Sequence, residues 1–189
     1  MEKFTHVRIV MGMIVSLGLT HMLKGVSTTI QHRAQSNPYP IHMAWVASLI
    51  LNVLQFWWWE FSLSEIHVWT FGIYLYLIFY AFIIYLMCAM LFPDSIKEYR
   101  DYRDYFMSRR AWFFGLLLAE SLIDIGDSLI KGEIHVAGLG DMYWLKTAAV
   151  ALGALIAMRT RNQVYHASFV ALNLTAQLLF VAKMSWTHA

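Results

Sequence analysis

The chain has 189 residues, 59% of them hydrophobic and only 14% charged, with a mean hydropathy of +0.53. A soluble domain is about half apolar and a quarter charged, so this composition belongs to an integral membrane protein in contact with the lipid bilayer. A net charge of +2 leaves no electrostatic footprint for nucleic acid; the single Cys88, inside an apolar run, forms no intrachain disulfide.

Residues 1–8 lead straight into an apolar run that lacks a small-residue cleavage site, so the first span is expected to be uncleaved. That span covers 9–29 and holds His21 and Lys24, with Gly12, Gly18 and Gly25 available for close helix contact. The polar segment 31–40 ends it through Asn37, Pro38 and Pro40. Span two covers 41–61, with His42 near one end, Asn52 and Gln55 inside, and the run Phe56-Trp57-Trp58-Trp59-Glu60 at the other. Four successive aromatics point to every side of a helix, so some anchor at the interface and others touch neighbouring helices.

After the short turn 62–67, span three covers 68–91 and carries Tyr74, Tyr76, Tyr80 and Tyr85, whose hydroxyls need partners. Pro93 ends it. The stretch 94–110 is the longest polar one, and its Ile96, Tyr99, Tyr102 and Phe106 recur at roughly helical spacing. It reads as an interfacial amphipathic helix on the membrane surface. Span four, 111–130, is apolar except for Glu120, Asp124 and Asp127. A glycine-rich loop over 131–141 precedes span five, 142–158, the weakest because it is short and includes Lys146. Span six covers 164–182, with Asn173 and Gln177 inside; the glycosylation pattern at Asn173 falls within it and is not expected to be used.

The expected fold is an all-α polytopic transmembrane helical bundle of six spans, one integral membrane domain over 1–189. Five spans is the alternative if segment five stays buried without crossing. Arg33, Lys97, Arg100, Arg103, Arg109, Arg110, Arg159 and Arg161 then share one side, against Lys3, Arg8, Lys131, Lys146 and Lys183. Eight against five puts the first group in the cytoplasm and both termini outside. A shift of 101 residues aligns Arg8 with Arg109, Gly25 with Gly126, Ser27 with Ser128 and Pro40 with Asp141, a weak sign of an inverted three-plus-three repeat.

Glu120, Asp124 and Asp127 stand at i, i+4 and i+7, which puts all three on one helix face. Three carboxylates in low dielectric share protons, pair with bases, bind a cation or face water. Glu120 falls near mid-membrane, and Asp124 and Asp127 climb toward the outer surface. Gln55, Glu60, Lys146, Asn173 and Gln177 offer supporting polar groups at similar depths, and His21 with Lys24 could tune protonation from the other side. The blander reading pairs Asp124 with Lys146 or Arg8, gives Asp127 a helix-end contact and leaves Glu120 a protonated core acid.

Haem needs opposed histidines at matching depths, and only His21 is well inside a span. No HExxH, HxxxH, CxxCH, nucleotide-binding or selectivity-filter pattern occurs. No cofactor is therefore expected, with haem or a metal ion as the lesser alternative, and an enzyme is the less favoured class.

His42-Met-Ala-Trp45, Gln55-Phe-Trp-Trp-Trp-Glu60, Leu91-Phe-Pro-Asp94 and Tyr105-Phe-Met-Ser-Arg-Arg-Ala-Trp-Phe-Phe114 resemble stretches of an uncharacterised family of small bacterial multi-span inner-membrane proteins. The resemblance runs from about Arg8 to Ile130 and implies a compact inner-membrane bundle, with no substrate or site residue attached. The groups themselves point to a small channel or transporter for protons or inorganic cations, as a homodimer if one chain has too few walls for a pore. A membrane scaffold or accessory subunit, whose polar groups specify helix pairing, is the alternative. A haem- or metal-binding redox protein is the third.

Overall fold

The computed structural model of the protein describes residues 2–32, 38–66 and 68–187. Arg33 and Asn37 lie outside the described residues, as do the side chains of Lys3 and Lys183. Six long helices follow one another: α1 (Glu2–Gln31), α2 (Pro40–Trp59), α3 (Phe71–Ala89), α4 (Tyr102–Ile130), α5 (Glu133–Arg159) and α6 (Gln163–Thr187). Two 3₁₀ segments, Glu60–Glu65 and Ile96–Glu98, lie in the connections.

Local chemistry sets several of the starts. Pro40 occupies the first turn of α2, where its missing N–H costs nothing. Thr70 caps α3 by accepting from the Ile73 N–H, and Asp101 caps α4 by accepting from the Asp104 N–H at 2.8 Å. Asn162 Oδ1 accepts from the Val164 N–H at 2.9 Å as α6 begins. Gly132 (φ 99°) turns the chain tightly between α4 and α5, in a region open to glycine and closed to most other residues.

Among the described residues five helices are long and apolar enough to cross a membrane: Phe4–Gln31, Pro40–Ser64, Phe71–Ala89, Glu133–Arg159 and Gln163–Ala182. The helix that falls short of the expected six is α4, because Glu120, Asp124 and Asp127 and its charged first turns dilute it. The segment expected to be weakest is one of the five. Within α5 the backbone leaves helical geometry at Gly140 (φ 69°, ψ 173°), so the expected span 142–158 sits just beyond the break. The preceding stretch is helical from Glu133, where a loop was expected.

The separate surface helix expected over 94–110 is not formed. Ile96–Glu98 makes one 3₁₀ turn, and the rest enters α4 from Tyr102. Its apolar residues face inward: Tyr102, Tyr105 and Phe106 are buried, and Tyr105 donates to the Met90 carbonyl at 2.9 Å. Helical spacing marks an apolar face but does not say whether lipid or protein covers it.

Nor do the two halves of the chain pack alike. The main partner of α1 is α3, two helices on, whereas that of α4 is α5, the next. The aligned glycines have a simpler cause, since Gly25 lies against the Phe92 ring and Gly126 against the Tyr76 ring.

One end of the bundle gathers the connections around Pro93 and Thr160 and most of the arginines; the other gathers Glu60, Lys131 and the start of α5. At the basic end the core is aromatic. Trp45 meets Phe113, Phe114 and Phe169 edge-on at 5.3–5.4 Å. His42 stacks on Tyr102 and His166 on Phe114, both at 5.4 Å. Ring pairs of this kind add about 0.5–1.5 kcal/mol each beyond the area they bury.

Candidate functional site

Toward the acidic end the bundle opens into a cavity of about 670 Å³ walled by residues of α2, α3, α4, α5 and α6. Glu120, Asp124 and Asp127 all line it, as their i, i+4, i+7 spacing requires of one helix face. Each meets a different set of neighbours.

Glu120, 8% exposed, accepts from Asn52 Nδ2 at 3.3 Å. Asn52 is halfway along α2, which puts Glu120 level with the middle of the bundle. One turn on, Asp124 takes two phenols: Tyr80 from α3 donates to Oδ1 at 3.0 Å, and Tyr143 from α5 donates to Oδ2 at 2.7 Å. Ser128 Oγ lies 3.2 Å from the same Tyr143 hydroxyl. The ion pair of Asp124 with Lys146 or Arg8 is not formed. Arg8 instead lies over the rings of Phe4, Trp57 and Phe61, on the α1 side of the bundle.

At the end of the ladder Lys131 donates to Asp127 Oδ2 at 2.6 Å and to Glu60 Oε1 at 3.1 Å. All three side chains are at most 4% exposed. Burial alone would push the Lys131 ammonium down, but Asp127 and then Glu60 outweigh it and hold it above the ordinary lysine value. One ammonium thus serves two carboxylates, and Glu60 Oε2 and Asp127 Oδ1 remain buried without a hydrogen-bond partner. A buried charge cluster left one cation short favours a proton or another cation beside it.

The supporting groups fall in the same place. Asn173 Nδ2 donates to Ser48 Oγ at 2.8 Å, and Ser48 donates to Gln177 Oε1 at 3.1 Å, which knits α2 to α6 across the wall. Gln55 reaches the Gln177 carbonyl at 3.4 Å. Lys146 enters from α5 and sits 5.8 Å from the centre of the Phe180 ring. Trp45 and Phe113 form the floor, where the Trp45 Nε1–H has no partner.

His21 and Lys24 are not brought to this cavity. His21 donates from Nε2 to the Phe92 carbonyl at 3.1 Å, at the basic end, and Lys24 is exposed. His42 and His166 likewise give Nε2 to backbone carbonyls, those of Leu91 and Thr160. Among the described residues no group of three or more His, Cys, Asp or Glu side chains is arranged to hold a metal ion.

Sequence reasoning passed over Lys131 and Tyr143 as site residues. The Asp127–Lys131 spacing of four was a legible signal for the lysine. No local pattern announces Tyr143, whose role depends on α5 lying along α4.

The fold and cavity together define a polytopic helical membrane protein with a buried acidic chamber. No family model, curated protein or solved structure matches the chain, so its residues alone carry the functional argument.

Proposed function

We propose that the protein is a small channel or transporter for protons or inorganic cations, seated in a bacterial inner membrane, with Glu120, Asp124 and Asp127 lining the path. The observation that carries this reading is the run of carboxylates along one wall of a single cavity. It extends from Glu120 at mid-bundle to the Glu60–Lys131–Asp127 cluster at the acidic end, where two carboxylate oxygens lack partners. Acidic groups at this depth are costly unless they face a cavity or a partner, and here they face both. Trp45 and Phe113 close the floor, which favours a carrier with alternating access over an open channel.

In this reading α4 crosses as a sixth span, held against α5 and α3, and both termini lie outside with the acidic end. A homodimer is not needed to build the chamber, since five helices of one chain wall it. The path excludes His21 and Lys24.

A second reading is a scaffold or accessory subunit, favoured by one observation: the Lys131 cluster clamps the end of α2 to the end of α4. Flux across liposomes under imposed pH and voltage gradients separates the two. The transport reading expects proton or cation flux in the wild type, lost in folded E120Q and D124N. Flux indistinguishable from empty liposomes, despite good incorporation, would leave the scaffold.

A further inference from the structure

Resting on the proton-transport half of that reading, we propose that the cavity's cargo is a monovalent organic cation with an apolar body, bound in exchange for a proton at Glu120. Four features of the chamber converge on this class.

The first is size. A volume of about 670 Å³ lies within the range of about 300–1,000 Å³ typical of sites for drug-sized molecules, and it far exceeds what a dehydrated inorganic ion fills. The second is charge. Glu60, Glu120, Asp124 and Asp127 line the chamber, against Lys131 and Lys146. Lys131 is already committed to two acids, and two buried oxygens, Glu60 Oε2 and Asp127 Oδ1, still lack a donor. Glu60 is 1% exposed and Asp127 3%, so this pair acts on the chamber through its field, and the acids its contents can reach are Glu120 and Asp124.

The third is the nature of the walls. Phe56, Trp59, Tyr80, Tyr143 and Phe180 are among the lining residues, and aromatic faces attract organic cations within about 6 Å. Lys146 already exploits one of them, with its ammonium 5.8 Å from the Phe180 centroid. The fourth is the rim. Two cavity-lining side chains are strongly exposed, Met142 (74%) on α5 and Leu179 (67%) on α6. An apolar rim between two membrane helices admits an amphiphilic molecule and gives a hydrated metal ion nothing to hold.

Proton exchange follows from electroneutrality. The titratable groups facing Glu120 are Tyr80 from α3, Asp124 one turn along α4 and Lys146 from α5; α2 and α6 present the neutral Asn52, Asn173 and Gln177. The nearest fixed cation outside the clamp is therefore Lys146, opposite two acids. A bound organic cation completes the neutralisation that a proton supplies in its absence.

The test is equilibrium binding of tetraphenylphosphonium to the purified full chain in detergent, with empty micelles subtracted. Tetraphenylborate, of the same shape and opposite charge, is the control. Expected is saturable binding of the cation alone, undisturbed by roughly a hundredfold excess of potassium or sodium. Over the pH range in which the free protein holds that proton, binding should weaken about tenfold per pH unit on acidification, as one displaced proton requires, and it should fall at least tenfold in folded E120Q. Equal saturable binding of the borate, or displacement by potassium, would overturn the assignment without any appeal to a variant. Carboxylate-dependent proton or potassium flux without phosphonium binding would overturn the organic cargo and leave the transport reading standing. Absence of both would remove the two together.

Discussion

Lys131 is the point on which the electrostatics depend most, because it is one ammonium between two buried carboxylates. Lys131→Met leaves Glu60 and Asp127 buried without counter-charge, which costs about 3–5 kcal/mol and lowers the unfolding midpoint in detergent accordingly. Combining it with Glu60→Gln and Asp127→Asn removes the stranded charges and should recover most of the loss. A single variant as stable as the wild type would show that the clamp is not a structural element. The pH sign follows from the same group. Its folded-state value lies above the ordinary 10.5, so its contribution is complete below that pH and disappears as pH rises through the folded value. Wild-type stability should therefore fall faster on the alkaline limb than that of the triple variant. The acidic triad was legible because spacing along one helix is a local property. The partners of Asp124 were not, because Tyr80 and Tyr143 come from two other helices and only packing joins them.

The helical segment that opens α5 is bracketed by two glycines with positive φ, Gly132 at 99° and Gly140 at 69°, both with ψ near 170°. This region of backbone space is almost closed to side chains, so Gly132→Ala and Gly140→Ala should each cost about 1–3 kcal/mol in unfolding experiments. Gly138 is an instructive control: it is helical, and a methyl group there meets nothing within 4 Å. Gly138→Ala should be neutral or stabilise by up to about 1 kcal/mol through helix propensity. Equal losses at all three positions would contradict the assigned backbone. These glycines stand out in the sequence and suggest a loop, but composition does not distinguish a loop from a short helix held between two turns. That helix matters to the site, since His135 meets Trp59 edge-on at 5.9 Å above the chamber. The buried start of α4 was hidden for a related reason. Its apolar spacing is real, and the rings of His42 and Phe92 cover it where lipid was expected to.

For the whole molecule, composition and segment length made the membrane class and the helix order legible, while the number of crossings depends on α4. Hydropathy discounts α4 for the acids that line the chamber; the reading proposed above has it cross all the same, packed along α5. Labelling decides the matter. In a Cys88→Ala background, cysteines placed at Ser95 and Arg161 should react from one side of the membrane, and those at Ser64 and Glu133 from the other. If α4 instead lay along the surface, Glu133 would label from the same side as Ser95. The molecule is also polarised along its axis, with a dry aromatic pack at the basic end and a polar chamber at the acidic end. On the transport reading proposed above, that asymmetry is one state of an alternating carrier, and parting Trp45 from Phe113 would open the other side.

The most direct measurement is an infrared difference spectrum of the membrane-reconstituted protein across a pH jump from about 8 to about 5, which ends above the ordinary carboxylate values so that surface carboxyls stay largely ionised. A working Glu120 predicts a gained protonated-carboxyl band in the wild type that is missing in E120Q. No gain in the wild type, or the same gain in E120Q, would contradict a proton-exchanging carboxylate at the centre of the bundle.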